Sequence, residues 1–312
     1  MPAAIRDSVL QTIGNTPCVR LRRIVPPGSA DVLVKLEYFN PTGSYKDRMA
    51  LALIEAAEQR GALRPGMRVV EFSGGSTGSS LALVCALKGY PLRIISSDAF
   101  AREKLATIRA FGADVELIPS AGGKITPDLM GRMRARVLEL AADPEVYWTD
   151  QFHNADAETG YVVLGRELVE QTGGRIDAFC GGIGTAGMLT GAGAGLRNAL
   201  PNIQIVSLEP ATSAVVAGGT PGAHRVEGVG MGIVPPLLDR SLLSSSRGIA
   251  EDVARATARE LARREGIFAG ISSGMNVAGA LELQQELGPG HTVATVAVDT
   301  GLKYLAGDLF EG

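Results

Sequence analysis

The stretch "MRVVEFSGGSTGSSLALVCALKGYPLRIISS", residues 67–97, contains one full alternation of secondary structure. Two short runs with β-branched residues, 67–72 and 92–97, flank a longer segment, 76–88, that has the length of a helix. Two strands separated by a helix form a βαβ unit, in which the strands lie parallel in one sheet. The stretch therefore predicts an α/β fold with a mostly parallel sheet.

The rest of the 312-residue chain repeats this alternation. The same criteria predict further strands at 31–38, 114–119, 176–182, 203–210 and 292–298, and further helices at 45–60, 101–111, 127–142, 155–172, 185–199, 251–265 and 274–287. The length gives room for two domains, with a division near residue 150. In such folds ligands bind beyond the carboxyl ends of the strands, so a site is expected in the loops that follow strands.

The composition excludes several classes of protein. Apolar residues make up 46% of the chain and charged residues 20%, and the net charge is −3 without a basic stripe, which argues against a nucleic-acid partner. No apolar run is long enough to cross a bilayer, and the start of the chain lacks the apolar core of a signal peptide. The three cysteines and three histidines are scattered, so no metal site is expected. We therefore expect a cytoplasmic protein.

The segment "NPTGSYKDR", 40–48, places Lys46 at the predicted start of a helix. Ser44 and Asp47 have the spacing of a capping box, and in that interpretation Lys46 is an exposed lysine of the first turn. A cation at a helix N-terminus is disfavoured by the helix dipole, and the same placement would lower the pKa of the lysine and favour a neutral amine nucleophile. Spacing alone leaves both interpretations open.

A glycine-rich loop, "CGGIGTAGMLTG" at 180–191, directly follows a predicted strand. Gly182, Gly184 and Gly187 form the G-x-G-x-x-G pattern, and Glu209 ends the next predicted strand, as in dinucleotide-binding folds. Such glycines let backbone N–H groups approach a phosphate at a helix N-terminus, although tight helix–strand packing would also explain them. The pattern favours a phosphate site without identifying the ligand, so a nicotinamide-dependent oxidoreductase is one alternative.

Two further loops contain small hydroxyl residues. The segment "EFSGGSTGSS", 71–80, combines five hydroxyls with a predicted helix start, which favours an anion site in which Ser76 or Thr77 also caps the helix. The segment "GISSGMNVAGA", 270–280, places two serines before another helix. A lysine, a phosphate loop and a separate anion loop together suit a cofactor that carries a phosphate and an amine-reactive carbonyl. Pyridoxal phosphate is such a cofactor.

Six segments resemble motifs that occur together in one group of enzymes. "GNTPCVRL" (14–21) resembles GNTPLVRL, "KLEYFNPTGSYKDR" (35–48) resembles KLE-x-x-NPTGS-x-KDR, and "GISSG" (270–274) is identical. "GTAGMLTG" (184–191), "EGVGMGIVP" (227–235) and "DTGLKYL" (299–305) stand in the places of GTGGTITG, GIGAGFIP and DSGERYL. Nearly end to end, the chain thus resembles the cysteine synthase / cystathionine β-synthase family of pyridoxal-phosphate enzymes, of fold type II (the tryptophan synthase β group).

The resemblance implies a fold of two doubly wound α/β domains and a homodimer. It implies a mobile N-terminal subdomain at 36–150 and a C-terminal domain, 1–35 plus 151–312, that binds the cofactor phosphate. Binding of the substrate α-carboxylate would close the N-terminal subdomain and exclude water from the site.

The resemblance also implies roles for individual residues. Lys46 would hold pyridoxal phosphate as a Schiff base and, once released, move the proton on the substrate Cα. Ser272 would lie at the pyridine nitrogen, where a hydroxyl cannot hold the ring protonated as an aspartate would, and this favours loss of a β-leaving group over transamination. The other residues implied to bind the cofactor are Ser76, Gly184, Thr185, Ala186, Gly187 and Met188. The residues implied to bind the substrate α-carboxylate are Ser73, Gly74, Ser76, Thr77 and Gln151.

The chain departs from the family pattern in the loop that usually reads T-S-G-N-T-G. Here the loop is Ser73-Gly74-Gly75-Ser76-Thr77-Gly78, so Ser76 replaces the asparagine that hydrogen-bonds the ring oxygen of the cofactor. Met188 replaces a threonine of the phosphate loop, which removes one hydroxyl contact. These changes leave the cofactor in place and bear on the substrate.

The predicted function is β-replacement or β-elimination on an amino acid with a leaving group at Cβ, through an aminoacrylate. Cysteine synthase-type chemistry, from O-acetylserine or another activated serine plus sulfide, fits best. A serine/threonine dehydratase or threonine synthase is the first alternative, and the oxidoreductase that uses 182–187 and Glu209 is the second. A relative that binds the cofactor without turnover is the third.

Overall fold

The computed structural model describes residues 5–123 and 126–311, in which strands and helices alternate along the chain. The strands are β1 Cys18–Arg20, β2 Asp31–Leu36, β3 Arg68–Phe72, β4 Leu92–Ser97, β5 Asp114–Ile118, β6 Val146–Trp148, β7 Ala178–Gly182, β8 Gln204–Pro210, β9 Ser245–Ile249 and β10 Thr292–Ala297. The helices are α1 Lys46–Gln59, α2 Ser76–Lys88, α3 Arg102–Ala110, α4 Pro127–Leu140, α5 Asp156–Thr172, α6 Gly187–Ala199, α7 Glu251–Glu260 and α8 Ile271–Leu287. Among the described residues, none of these helices has the length and apolar character needed to span a membrane.

The chain forms two compact units. The first consists of the described residues up to Ile13 together with Lys46–Asp156, and the second of Gly14–Tyr45 together with the described residues from Ala157 onward. The predicted domain bounds are 36–150 and 1–35 plus 151–312. The two units differ from them, because the residues up to Ile13 and residues 151–156 belong to the first unit and residues 36–45 to the second. The functional division into domains and the mobility of the N-terminal subdomain stay predictions.

The first unit is built on a four-stranded parallel sheet in the order β5-β4-β3-β6. Val69 and Ile94 face a core that includes residues of α1, α2 and α3. Val70 and Ile95, which are their neighbours along the strands, face the opposite side and pack with Leu129 and other residues of α4. Because successive strand residues alternate between faces, a sheet with helices on both sides needs apolar residues at consecutive positions, as "VV" and "II" provide.

The second unit is built on a six-stranded sheet in the order β1-β2-β10-β7-β8-β9. All neighbouring strands are parallel except β1 and β2. Val206 and Leu208 of β8 belong to the core that α7 and α8 cover, whereas Ile205 lies against Gly193 of α6 on the other face. The second sheet therefore also carries helices on both faces.

The predicted fold class, α/β with mostly parallel sheets, is confirmed. Every strand and helix predicted from the sequence is present, and three strands that were not predicted, β1, β6 and β9, are added. All three lie at sheet edges, where a strand can be short because it has one paired side only. Two of them, β1 and β6, have only three residues, and β9, "SSRGI", is largely polar, so none gives an apolar run long enough to predict a strand. The predicted start of the last helix, residue 274, is wrong: α8 begins at Ile271, directly after Gly270.

Candidate active site

Lys46 is the first residue of α1. The residues before it are hydrogen-bonded to the loop after β10: the backbone N–H of Tyr45 donates to the carbonyl of Val298 at 3.0 Å, and that of Thr300 donates to the carbonyl of Gly43 at 3.0 Å. Gly43 has a φ of 71°, and a Cβ at this position would lie 2.7 Å from the Thr300 side chain. The backbone that leads into Lys46 is thus fixed by contacts that only glycine permits.

The Lys46 side chain is partly buried, so the interpretation as an exposed first-turn lysine is wrong. Its Nζ lies 3.8 Å from the Sδ of Met49. Burial lowers the pKa of Lys46 to about 8, while the nearby Glu71 opposes this shift. The lowered pKa follows the prediction, but its main cause is burial of the amine rather than the helix dipole.

The loop between β3 and α2 is organised by Ser73. Its Oγ accepts hydrogen bonds from the backbone N–H groups of Gly75 and Gly78, both at 3.1 Å. Gly78 is the third residue of α2, so Ser73 supplies the side-chain cap that was predicted for Ser76 or Thr77, which instead lie in the first turn. That prediction failed because the cap reaches across five residues, further than the usual spacing.

Gly74 and Gly75 lie in close contact with side chains at and just before the start of α3. A Cβ on Gly74 would lie 2.2 Å from the Phe100 ring, and a Cβ on Gly75 would lie 2.7 Å from the Cδ of Lys104. The ring of Phe100 therefore occupies the volume that a serine at position 74 would need. The departure from the family's T-S-G-N-T-G pattern at Gly74 has this packing as its structural reason.

Gln151 is buried and hydrogen-bonded on both sides of its amide. Its Oε1 accepts from the Thr77 hydroxyl at 2.7 Å, and its Nε2 donates to the carbonyl of Phe72 at 3.2 Å. Thr77 and Gln151 are 74 residues apart in the chain, and the parallel pairing of β3 with β6 brings them together. The residues predicted to bind a carboxylate in the first unit thus form one connected group.

Glu71 is hydrogen-bonded to this group through the backbone of Gln151 and was not among the predicted site residues. Its carboxylate accepts from the Thr149 hydroxyl at 2.7 Å, from the Trp148 Nε1 at 3.3 Å and from two backbone N–H groups, those of Phe72 at 2.8 Å and Gln151 at 3.0 Å. The side chain has no solvent-exposed surface, and burial raises its pKa to about 7 against the opposing effect of these bonds. An acidic residue that follows two valines and precedes a phenylalanine in β3 was the available signal.

In the second unit, the loop of residues 182–187 joins β7 to α6. A Cβ on Gly184 would lie 2.2 Å from the carbonyl oxygen of Gly228, so the loop admits no side chain at this position. Ala186, immediately before α6, has a φ of 68°, and the Thr185 hydroxyl lies in the same buried turn. The first N–H groups of a helix have no partner within the helix, so this turn presents donors beside a position without a side chain.

Other glycines of this region serve helix packing, which the sequence left as an alternative. A Cβ on Gly191 would lie 2.4 Å from the carbonyl oxygen of Glu158, and one on Gly195 would lie 2.5 Å from that of Val162. These two glycines let α6 approach α5. Helix packing therefore explains Gly191 and Gly195, and the phosphate site at the turn that precedes α6 stays a prediction.

The side chains of Glu209 and Met188, two residues singled out in the sequence, make contacts within the protein. Glu209, required by the oxidoreductase alternative, is buried, and its Oε2 accepts from the backbone N–H groups of Val216 at 2.8 Å and Ala217 at 3.2 Å. It therefore secures its own loop. The Met188 side chain is buried with its Cε against Gly181, so only its backbone N–H is placed to contribute to a phosphate site.

Ser272 is the second residue of α8 and is almost fully buried. The neighbouring Ser273 accepts a hydrogen bond from the backbone N–H of Val298 at 2.8 Å, and the N–H of Gly270 donates to the carbonyl of Asp299 at 3.1 Å. The start of α8 is thus fixed to the loop after β10, and the hydroxyl of Ser272 is held by a rigid helix turn.

The candidate residues fall into two sets, one in each unit. The first unit brings together Lys46, Ser73, Gly74, Ser76, Thr77 and Gln151, and the second contains Gly184, Thr185, Ala186, Gly187, Met188 and Ser272. An amine of lowered pKa and a helix start with no side chain at Gly184 are the two features that pyridoxal phosphate requires, one for its carbonyl and one for its phosphate. The residues present therefore fit this cofactor.

Comparison with known proteins gives the same result. A cysteine synthase of Staphylococcus aureus is 41% identical over 306 residues, which cover 97% of each chain. The solved structure of O-acetyl serine sulfhydrylase isoform 3 from Entamoeba histolytica has a TM-score of 0.94 and 32% identity, covering all of this chain and 93% of that one. The structure of an O-ureido-L-serine synthase has a TM-score of 0.91 and 38% identity, covering 99% and 96%. The model of the family "Pyridoxal-phosphate dependent enzyme" matches residues 9–299, and the chain belongs to this family.

Proposed function

We propose that this pyridoxal-phosphate enzyme replaces or eliminates the β-substituent of an L-amino acid, and that its reaction is the formation of cysteine from O-acetylserine, or another activated serine, and sulfide. The observation that carries the proposal is the buried amine of Lys46, with its pKa lowered to about 8, in the same unit as a preformed group of carboxylate-binding side chains. The similarity to a cysteine synthase and to an O-acetyl serine sulfhydrylase supports the choice of substrate.

Lys46 has two tasks in this proposal. Its amine would hold the cofactor at the carbonyl carbon, and the free amine would accept the proton from the substrate Cα. When bound, the cofactor supplies an electron sink that makes this proton acidic. A lysine with a pKa of about 8 has a substantial neutral fraction near pH 7.5, so it can act as a base without a partner that removes its proton.

The group at 73–78 with Gln151 binds the substrate α-carboxylate. The start of α2 supplies N–H groups, and the Gln151 amide supplies a further donor through the N–H that Phe72 does not accept. The Thr77 hydroxyl holds the Gln151 amide in place by donating to its Oε1. Ser73 is hydrogen-bonded within its own loop, and Thr77 is hydrogen-bonded to Gln151. Little ordering of these side chains is therefore required when the carboxylate arrives.

Residues 184–187 bind the cofactor phosphate in this proposal, and Ser272 lies at the ring nitrogen. Gly184 permits close approach of the phosphate because no side chain fits there. A serine hydroxyl is neutral and does not hold the ring nitrogen protonated, which moderates the electron sink and favours loss of a substituent from Cβ.

We also propose that the active form is a cytoplasmic homodimer, on the strength of the resemblance, and that carboxylate binding closes the subdomain at 36–150. Light scattering during size-exclusion chromatography tests the dimer through its mass. Small-angle scattering with and without a bound substrate analogue tests the closure.

The reaction is tested by supplying the purified enzyme with O-acetylserine, with and without sulfide, and measuring cysteine and pyruvate. Cysteine formed only with sulfide supports the proposal. Pyruvate from serine or threonine, with no cysteine, identifies a dehydratase instead, and no product from any of a series of β-substituted serines would indicate a binding protein.

The role of Lys46 is tested separately from the substrate. Borohydride reduction followed by peptide mass spectrometry is expected to place the reduced pyridoxyl group on Lys46, and a Lys46→Ala protein is expected to lose the visible absorbance of the cofactor. Lys88, which pairs with Glu58 on the surface of the same unit, provides the control Lys88→Ala, whose absorbance should equal that of the unmodified enzyme.

A further inference from the structure

Asn276 is a buried amide in an apolar part of α8. It has no solvent-exposed surface, and its neighbours Met275, Val277 and Ala278 are buried apolar residues. Its Oδ1 accepts from the backbone N–H of Gly182 at 2.7 Å, and its Nδ2 donates to the carbonyl of Val296 at 3.0 Å. Burying an amide in such surroundings is costly unless its hydrogen bonds are satisfied, so these two bonds are the reason the residue is tolerated.

The two partners of Asn276 are the ends of two strands that matter for the proposed site. Gly182 is the last residue of β7, directly before the turn at 184–187, and Val296 is the last residue but one of β10. Asn276 itself follows Ser272 by four residues, so both lie on the same face of α8. One side chain therefore connects the helix that carries Ser272 to the strand that carries the phosphate turn.

We propose that Asn276 is a positioning residue that sets the spacing between the two ends of the cofactor site, with Ser272 at one end and residues 184–187 at the other. The inference rests on the proposed function, because it takes from there the assignment of these ends. Pyridoxal phosphate has a rigid ring, so its nitrogen and its phosphate reach their partners together only if the helix and the strand keep one relative position. A directional pair of hydrogen bonds fixes that position better than apolar packing does.

A residue with a purely structural role would also destabilise the fold when it is replaced, so a matched control is needed. Thr295, on the same strand as Val296, donates from its hydroxyl to the carbonyl of Cys180 at 2.7 Å and is equally buried. Thr295→Val removes one buried hydrogen bond between β10 and β7 without touching Gly182 or Ser272. Asn276→Leu removes both bonds of the amide with little change of volume.

The experiment measures cofactor release from each holoenzyme, by ultrafiltration and absorbance, together with the ³¹P NMR signal of the bound phosphate and the thermal midpoint. We expect Asn276→Leu to release the cofactor about ten-fold faster or more and to shift or broaden the phosphate signal. Thr295→Val should lower the thermal midpoint and leave the release rate within about three-fold and the phosphate signal unchanged. Equal release rates and phosphate signals for the two variants at similar midpoints would overturn the proposal.

Two further variants cover the remaining outcomes. If Asn276→Leu does not fold, Asn276→Asp keeps the acceptor for Gly182 and loses the donor to Val296, and it should release the cofactor faster than Thr295→Val does; a rate equal to that control contradicts the proposal. The double variant Asn276→Leu/Ser272→Ala tests how the two residues are coupled. The effects of the two substitutions on the rate of cofactor release should be less than additive, because Asn276 acts by placing Ser272 and the phosphate turn. The unmodified enzyme is assayed alongside: cofactor binding without conversion of O-acetylserine counts against the proposed function and leaves the Asn276 comparison valid.

Discussion

The carboxylate of Glu71 accepts a hydrogen bond from the backbone N–H of Gln151 at 3.0 Å, across 80 positions of the sequence. The same carboxylate accepts from the Thr149 hydroxyl at 2.7 Å. It thereby joins the end of β3 to the segment after β6, the two places from which the proposed carboxylate-binding side chains arise. The position of Gln151 therefore depends on a buried carboxyl group that was not among the predicted site residues.

Replacing Glu71 by glutamine is expected to destabilise the fold and weaken substrate binding. The amide of glutamine has one acceptor oxygen for four donors, so buried donors lose their partner at a cost of about 2 kcal/mol. Displacement of Gln151 should raise the KM for the amino-acid substrate more than it lowers kcat. Denaturant unfolding and steady-state kinetics measure the two effects.

The control for this variant is Glu145→Gln in the same unit. Glu145 is an exposed residue that pairs with Arg64 at 3.5 Å, and its replacement should change the free energy of unfolding by less than about 0.5 kcal/mol. Equal effects of the two substitutions would show that the buried carboxylate does not hold the loop.

The raised pKa of Glu71 predicts a pH dependence of stability. Burial raises this pKa from 4.5 to about 7, so between these values the folded protein binds a proton that the unfolded chain has released. Glu71 therefore contributes most to the free energy of unfolding below pH 4.5. This contribution, up to about 3 kcal/mol, is lost as the pH rises to 7. Unfolding curves between pH 5 and 7.5 should show this slope in the unmodified protein and a weaker one in Glu71→Gln. Parallel slopes would contradict the assignment.

The strands and helices can be predicted from local sequence patterns. The candidate site depends on contacts between residues far apart in the chain, which local patterns do not specify. The apolar pairs in β3 and β4 predict strands buried on both faces, and the structure has them there. The contacts of Gln151 with Thr77 and Glu71 depend instead on which strands are neighbours, because β6 follows β5 in the chain but pairs with β3. Alternation of strands and helices does not specify that order.

The serine-rich turns show the same limit on a smaller scale. The small residues of "GISSG" favour a turn followed by a helix, and the pattern places the helix start at 274, yet α8 begins at Ile271. Contacts of Gly270 and Ser273 with the loop after β10 stabilise this additional turn. Local propensity does not include such long-range contacts. They nevertheless determine that Ser272 lies within the helix rather than in the turn before it.

The absence of space at Gly184 predicts a large effect of a single methyl group. Gly184→Ala would place Cβ 2.2 Å from a backbone oxygen, which cannot move as a side chain can, and should lower the free energy of unfolding by about 2 kcal/mol. It should also weaken retention of the cofactor. The matched control is Gly131→Ala, an exposed helical position with nothing within 4 Å of the added Cβ, where a gain of about 0.5–1 kcal/mol is expected. Similar cofactor retention in both variants would count against a phosphate site at 184–187.

The hydrogen bond from Thr77 to Gln151 predicts an effect on substrate binding in addition to the modest loss of stability expected when a buried hydrogen bond is removed. Thr77→Val keeps the shape and removes the hydroxyl, so the KM for the amino-acid substrate should rise about ten-fold, and the visible absorbance of the cofactor should be unchanged. Thr107→Val removes a comparable hydroxyl from the surface of α3, where it donates to the carbonyl of Glu103, and should leave the KM unchanged. An unchanged KM for Thr77→Val would argue against carboxylate binding by this loop.

The replacement Ser76→Asn tests whether the loop at 73–78 also reaches the cofactor. Ser76 begins α2, at the position where the family pattern has the asparagine that hydrogen-bonds the ring oxygen. A longer amide at this position should reach the ring directly, shift the visible absorbance of the cofactor and change the ranking of O-acetylserine against other activated serines. Ser79→Asn, one turn further along the buried side of α2, is the control for crowding of the helix and should lower stability without a spectral shift. If Ser76→Asn leaves both the spectrum and the substrate ranking unchanged, the loop binds the carboxylate alone and the placement of Ser76 beside the ring is wrong.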